Sequence, residues 1–221
     1  MNGPTPGCSE VFKGMNFLIN IDNNDLFATG IVGLIRDAVK ECNIPSPSVT
    51  YDFSEENIHN ADFIFMTACP GECFLCFKDL INRKKTVNSF IFVNRETLPS
   101  KCNLPDCIKD ACFFSQKASL SAVYEALLKA IRSCIAGKER NKGSSKNGWS
   151  CLNCNYKALS FTQEKIAWGL NSCLGMSDIA EQMGITYKTA ISHKKNIMNK
   201  FDLNNKRDLY EFIDCYHKRK H

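Results

Sequence analysis

Apolar positions along the chain follow two different rhythms. Up to about residue 136, short apolar runs alternate with stretches of helical spacing. The runs are NFLINI at Asn16–Ile21, VTYDF at Val49–Phe53, Asp62–Thr67, SFIFVN at Ser89–Asn94 and Ala111–Phe114. Continuous runs of this kind predict strands buried on both faces, as in a parallel sheet covered by helices. The helices are predicted from Leu26 to about Lys40 on the stripe Leu26, Ile31, Leu34, Ile35 and Val39, from a Pro70-Gly71 turn to about Lys84, and from an N-cap at Ser119 to about Ile135. Ser54–Ala61 is short for a full crossover helix, which predicts an irregular sheet at that point.

Beyond residue 156 the rhythm is helical throughout. Ile179, Ala180 and Met183 share one face of a short helix, Gly184-Ile185 supply a tight turn, and Thr186 is placed to cap a second helix. There Ala190, Ile197 and Phe201 repeat as one buried stripe, while Lys188, Ile191, Ser192, Lys195 and Asn199 point away from it. Two short helices, a glycine turn and a basic outer face predict a helix-turn-helix from Gly175 to Lys194. A last helix over Lys206–His217 carries Leu209, Phe212, Ile213 and Tyr216 on one face, completing a small core. The expected organisation is a disordered leader at 1–14, an α/β regulatory domain at 15–136, a flexible basic linker at 137–155 and an all-α four-helix domain at 156–221. The glycine-, serine- and lysine-rich run GKERNKGSSKNGWS marks the linker.

Charge sharpens this division. Residues 137–221 hold 15 Lys/Arg against 8 Asp/Glu, whereas residues 1–136 hold 13 against 15. A basic C-terminal part on a near-neutral N-terminal part predicts a nucleic-acid-binding module carried by a regulatory one. No apolar run approaches the roughly 18 residues of a membrane span. The opening MNGPTPGCSEVFKG lacks a basic region followed by an apolar core, so a cytoplasmic location is expected.

At the helix-turn-helix residues the chain resembles the LuxR/FixJ/NarL type of DNA-binding domain. Leu159-Ser160 stand for its opening Leu-Thr, and Ile179-Ala180 for its Ile-Ala pair. Ile185-Thr186, Thr189-Ala190, His193, Asn196-Ile197 and Lys200-Phe201 follow in register. The departures are Gln163 for a glutamate, Cys173 for a glycine and Ile191 for a lysine; the run Ser192-His193-Lys194 is more similar to the auxiliary capsule-regulator (RcsA-like) subgroup. The resemblance implies a bacterial transcriptional regulator that reads double-stranded DNA as a dimer, with no cofactor. Its DNA contacts would be Lys188, Thr189, Ile191, Ser192, Lys194, Lys195 and Asn199. The last helix would supply the dimer contact through Leu209, Phe212 and Ile213. The expected partners besides DNA are a second copy or a full response regulator, with RNA polymerase a further candidate and no membrane.

The N-terminal part resembles, more distantly, a response-regulator receiver over Phe17–Ile35, Asp62–Gly71 and Ser115–Leu128. Receiver chemistry needs an acid pair after the first strand, a phosphoacceptor aspartate after the third and a lysine after the fifth. Those positions fall on Asp22-Asn23, on Thr67 or Met66, and on Ser115 or Gln116 beside Lys117. Neither threonine nor methionine can form an acyl phosphate, so the expectation is a pseudo-receiver that regulates without phosphorylation.

Thirteen cysteines in an odd count argue against a disulfide framework. Cys73/Cys76 and Cys151/Cys154 form two C-x-x-C pairs, with Cys69 near the first. They lie in different domains with no histidine at ligand spacing, so structural thiols are favoured over redox sensing or a metal, and no metal site is predicted. Cys151/Cys154, in the linker, is expected to be the pair more open to oxidation. His193 is expected to pack between helices rather than touch DNA, and His59, His217 and His221 read as surface or terminal residues. No Ser/His/Asp or Cys/His set can be argued, so no enzymatic activity is expected.

Overall fold

The computed structural model describes residues 14–21, 25–45, 47–84, 86–95, 98–137 and 154–219. The leader, Asp22 and Asn23, and the linker over 138–153 therefore lie outside the described residues. Five strands, β1 (Asn16–Asn20), β2 (Ser48–Thr50), β3 (Phe63–Ala68), β4 (Asn88–Val93) and β5 (Cys112–Ser115), form one parallel sheet in the order β2-β1-β3-β4-β5. This is the flavodoxin-like doubly wound order.

Alternation along each strand feeds two cores. Phe17, Phe63, Phe65, Phe90 and Phe92 face α1 (Asp25–Glu41) and α3 (Leu120–Ile135). Their rings stack across the strands, with centroids 5.0 Å apart for Phe17–Phe63 and 4.9 Å for Phe65–Phe90. Leu18, Ile64, Met66, Ile91 and Val93 face the other way, toward Ile58 of α2 (Glu55–Asn60), Leu80, Leu104 and Ile108. Helix α2 is short, as its sequence suggested, but Ser54 caps it and the strands on either side keep a regular parallel register.

The helix predicted from Pro70-Gly71 to Lys84 does not form. Gly71 takes φ 79°, and two three-ten turns follow at Glu72–Phe74 and Lys78–Asn82. The cause is a divided allegiance. Cys73, Phe77 and Leu80 bury against the sheet, while the intervening Phe74 and Leu75 bury in the core of the C-terminal domain. A straight α-helix keeps one apolar stripe and cannot serve two cores this closely in sequence.

The C-terminal domain consists of α4 (Phe161–Asn171), α5 (Met176–Gln182), α6 (Tyr187–Lys200) and α7 (Lys206–Lys218) around Ile166, Leu170, Ile179, Ile197, Phe201, Leu209 and Phe212. Ser160 and Gln163 close a capping box on α4, and Thr186 and Asn205 cap α6 and α7. Residues 155 and 157, just before α4, contact the N-terminal domain. The Lys157 N–H donates to the Phe74 carbonyl at 2.7 Å, and the Asn155 side chain donates to the Cys102 carbonyl at 3.2 Å. Arg219 pairs with Glu72 at 2.5 Å and Arg95 with Asp202 at 2.6 Å, so ion pairs flank the buried Phe74 and Leu75. The two domains are thus docked against each other. Among the described residues, no helix is long and apolar enough to cross a membrane.

Candidate nucleic-acid interface

Helix α6 is held by its inner face and left open on its outer one. Ala190 and Ile197 are fully buried, as is Phe201 at its C-cap. Thr186 accepts from the Thr189 N–H at 3.1 Å, which fixes the first turn, and the Thr186 and Thr189 hydroxyls lie 2.8 Å apart. The left-handed Gly184 (φ 63°) lets the chain reverse between α5 and α6. Close approach of α4 and α5 needs a second glycine. A Cβ on Gly169 would stand 2.6 Å from Ile179 Cγ1.

On the outer face Lys188, Thr189, Ser192, Lys195 and Asn199 are exposed, and Ile191 and Lys194 are half-buried. Ser192 Oγ donates to the Lys188 carbonyl at 3.0 Å, which leaves its lone pairs free to accept. Among the described residues Lys188, Lys194 and Lys195 have no carboxylate partner, whereas Arg207 and Lys218 on α7 are each paired four residues along with Glu211 and Asp214. The positive charge of α6 is therefore uncompensated. His193 is half-buried beside this face.

Two expectations need correction. Leu209, Phe212 and Ile213 are at most 1% exposed and belong to the domain's own core, so they leave no surface for a second copy. On α7 the outward side chains include Lys206, Arg207, Tyr210 and Asp214. His217 is not a surface residue. Its ring lies 4.5 Å from that of Trp168 and is buried, with neither ring nitrogen hydrogen-bonded among the described residues.

In the N-terminal domain Met66 and Thr67 do stand at the C-terminal end of β3, with Met66 buried and Thr67 half-buried. Ser115 ends β5, its Oγ accepts from the Lys117 N–H at 3.2 Å, and Lys117 is exposed. Cys73 is buried; burial and the neighbouring Glu72 push its thiol up to about 12. Cys154 is half-buried, and its Sγ accepts from the Asp106 N–H at 3.3 Å, so it is not the open thiol expected of a linker. Sequence spacing missed the proximity of Cys69, Glu72 and Cys215, which come from two domains. A separation of that length along the chain leaves no local signal.

A parallel α/β domain in this strand order, carrying a helix-turn-helix with an uncompensated basic face, has the architecture of a two-domain DNA-binding transcription regulator. Residues 159–213 match the family model of bacterial regulatory proteins, luxR family (GerE), and form a domain of that type. No curated protein sequence is similar to the chain at a significant level. Among solved structures the chain is similar to two RcsB dimers bound to two parallel DNAs, with a TM-score of 0.50, 15% identity, and 91% of this chain and 98% of that chain covered. The two-component response regulator RcsB–DNA complex is similar to the same extent: TM-score 0.50, 15% identity, 91% and 98% covered. At this identity the likeness establishes a shared two-domain fold. The RcsA-like subgroup is not confirmed.

Proposed function

We propose that this protein is a sequence-specific transcriptional regulator that acts as a dimer and without phosphorylation. The observation that carries the proposal is the outer face of α6, where three lysines stand without acidic partners on a LuxR-type helix-turn-helix. In this reading α6 enters the major groove. Lys188, Lys194 and Lys195 bind phosphates and set the register, while Thr189, Ile191, Ser192 and Asn199 meet base edges or thymine methyls. The organisation supporting it is a regulatory domain over 15–136 and a reading domain over 156–221. Similarity to RcsB dimers on DNA supports the dimer, and the exposed side of α7 around Tyr210 is the surface offered for it. Met66 and Thr67 at the end of β3 support independence from phosphate, since neither side chain can form an acyl phosphate.

Lys195→Ala should weaken binding to every DNA sequence and make its salt dependence shallower by about one unit, because one phosphate contact releases roughly one counterion. Ser192→Ala should instead change the preference among operators. Unchanged affinity of Lys195→Ala across a salt titration would refute this placement of α6. A second reading rests on Ile191, half-buried where the family carries a lysine. It is an auxiliary subunit that gains most of its DNA affinity by pairing with a full response regulator. Binding measured with and without such a partner separates the two.

A further inference from the structure

Cys69 follows β3, Glu72 opens the three-ten turn beyond it, and Cys215 lies on α7 of the other domain. Their two Sγ atoms and a carboxylate oxygen all lie within 4.8 Å of one another. We propose that these three side chains bind one thiophilic divalent cation of the Zn²⁺ kind, which ties the helix-turn-helix domain to the N-terminal domain. Two thiolates and a carboxylate are the donor set that selects such an ion over Mg²⁺ or Ca²⁺. Tetrahedral Zn²⁺ with ordinary bond lengths places neighbouring sulfur and oxygen donors about 3.6–3.8 Å apart, so small side-chain rotations close the site. A water completes the four-fold shell.

The surroundings are built for this role. The Cys69 N–H donates to Glu72 Oε2 at 2.7 Å, and Arg219 holds the other carboxylate oxygen at 2.5 Å, so the carboxylate is oriented before any ion arrives. Glu72 is buried and Cys69 is half-buried. The C-x-x-C pairs offer less. Cys73 is buried against the sheet, and Cys151 lies outside the described residues. The ion would bind only the docked arrangement, so metal concentration would bias how firmly the reading domain is held. This inference does not depend on the DNA-binding proposal.

The test uses the full chain, reduced and stripped with a chelator, then titrated with Co²⁺ as a spectroscopic probe and with Zn²⁺ in competition. One equivalent should bind with a thiolate-to-cobalt charge-transfer band, and zinc should raise the melting temperature. Cys69→Ser and Cys215→Ser should each weaken cobalt binding by about 100-fold or more, at least the upper end of what loss of a supporting group costs. Glu72→Gln should weaken it by about 10-fold. The Cys151→Ser/Cys154→Ser double variant should bind as the parent does. Circular dichroism of each variant guards against misfolding, and Cys69→Ala replaces any serine variant that fails to fold. The proposal is overturned if folded Cys69 and Cys215 variants keep the cobalt band, if metal follows Cys151/Cys154, or if the chain carries a Cys69–Cys215 disulfide and takes up no metal once reduced.

Discussion

Cys173 ends α4 with φ 58°, a left-handed conformation that a side chain with a Cβ adopts at a cost. Its N–H donates to the Leu170 carbonyl at 3.1 Å and the Leu174 N–H to that of Gly169 at 3.0 Å, the paired bonds of a left-handed helix stop. Glycine satisfies the same bonds without the strain. Cys173→Gly should therefore stabilise the protein by about 1 kcal/mol, seen as a higher urea midpoint at unchanged slope. An unchanged or lower midpoint would mean that the cysteine side chain contributes packing that outweighs its strain. Thiol reactivity is likewise set residue by residue. With its pKa raised to about 12 by burial and Glu72, Cys73 holds almost no thiolate near neutrality. Iodoacetamide at about pH 8 should label exposed Cys102 and Cys173 and spare Cys73 until the chain is unfolded, as peptide mass spectrometry would report.

At the scale of elements, what could be read in the sequence was whatever served a single domain. The strands are apolar runs between the two cores of the N-terminal domain, and α1, α3 and α6 each bury one stripe, so apolar runs, helical periodicity and caps such as Ser119 and Thr186 located them. The segment after β3 could not be read that way, because neighbouring residues belong to the cores of different domains and the helical pattern of Cys73, Phe77 and Leu80 was only half of the pattern. The candidate DNA face was legible for the same reason as α6 itself: its polar residues are what the buried stripe leaves over. On α7 the apolar stripe was read as completing the domain's core, which it does, whereas the dimer contact assigned to the same residues came from the family resemblance alone. Gly71 is the hinge of the misread segment. A Cβ there would meet Leu203, Phe201 and Phe212 at 2.9–3.0 Å, on a backbone of φ 79°. Gly71→Ala should cost about 1–3 kcal/mol through overpacking and strain. Gly30→Ala, on the exposed face of α1 with nothing within 4 Å, should instead stabilise by about 0.5–1 kcal/mol. Thermal melts of the two variants move in opposite directions if the docking of the Gly71 turn is as described; a neutral Gly71→Ala would argue that the contact is loose in solution.

At the scale of the whole molecule, docking gives the N-terminal domain two separable duties toward the DNA reader. One is structural. Phe74 and Leu75 complete the apolar core around Phe201, Leu203 and Phe212 from outside the reading domain, and the Phe74 ring lies 3.7 Å from the ammonium of Lys157, which itself donates to the Lys200 carbonyl at 2.7 Å at the end of α6. Burial pushes the pKa of the Lys157 ammonium downward. The other duty, in the proposed function, is to bring two reading heads together, which raises affinity by effective concentration without any new base contact. A fragment starting near Ser150 loses both. It should unfold at lower urea than the same helices in the full chain, because removing the Phe74 and Leu75 side chains from a core costs several kcal/mol in the manner of a large-to-small substitution. It should also bind operator DNA much more weakly. Fusing an unrelated dimeriser to the fragment should restore the part of the affinity due to pairing, yet leave its urea midpoint low. Phe74→Ala in the full chain should show the reverse, a lowered midpoint with pairing intact. One titration series on one operator at one salt concentration, run beside urea curves for the four proteins, resolves the two duties. Equal affinity of fragment and full chain would remove the pairing duty, and equal stability would remove the brace.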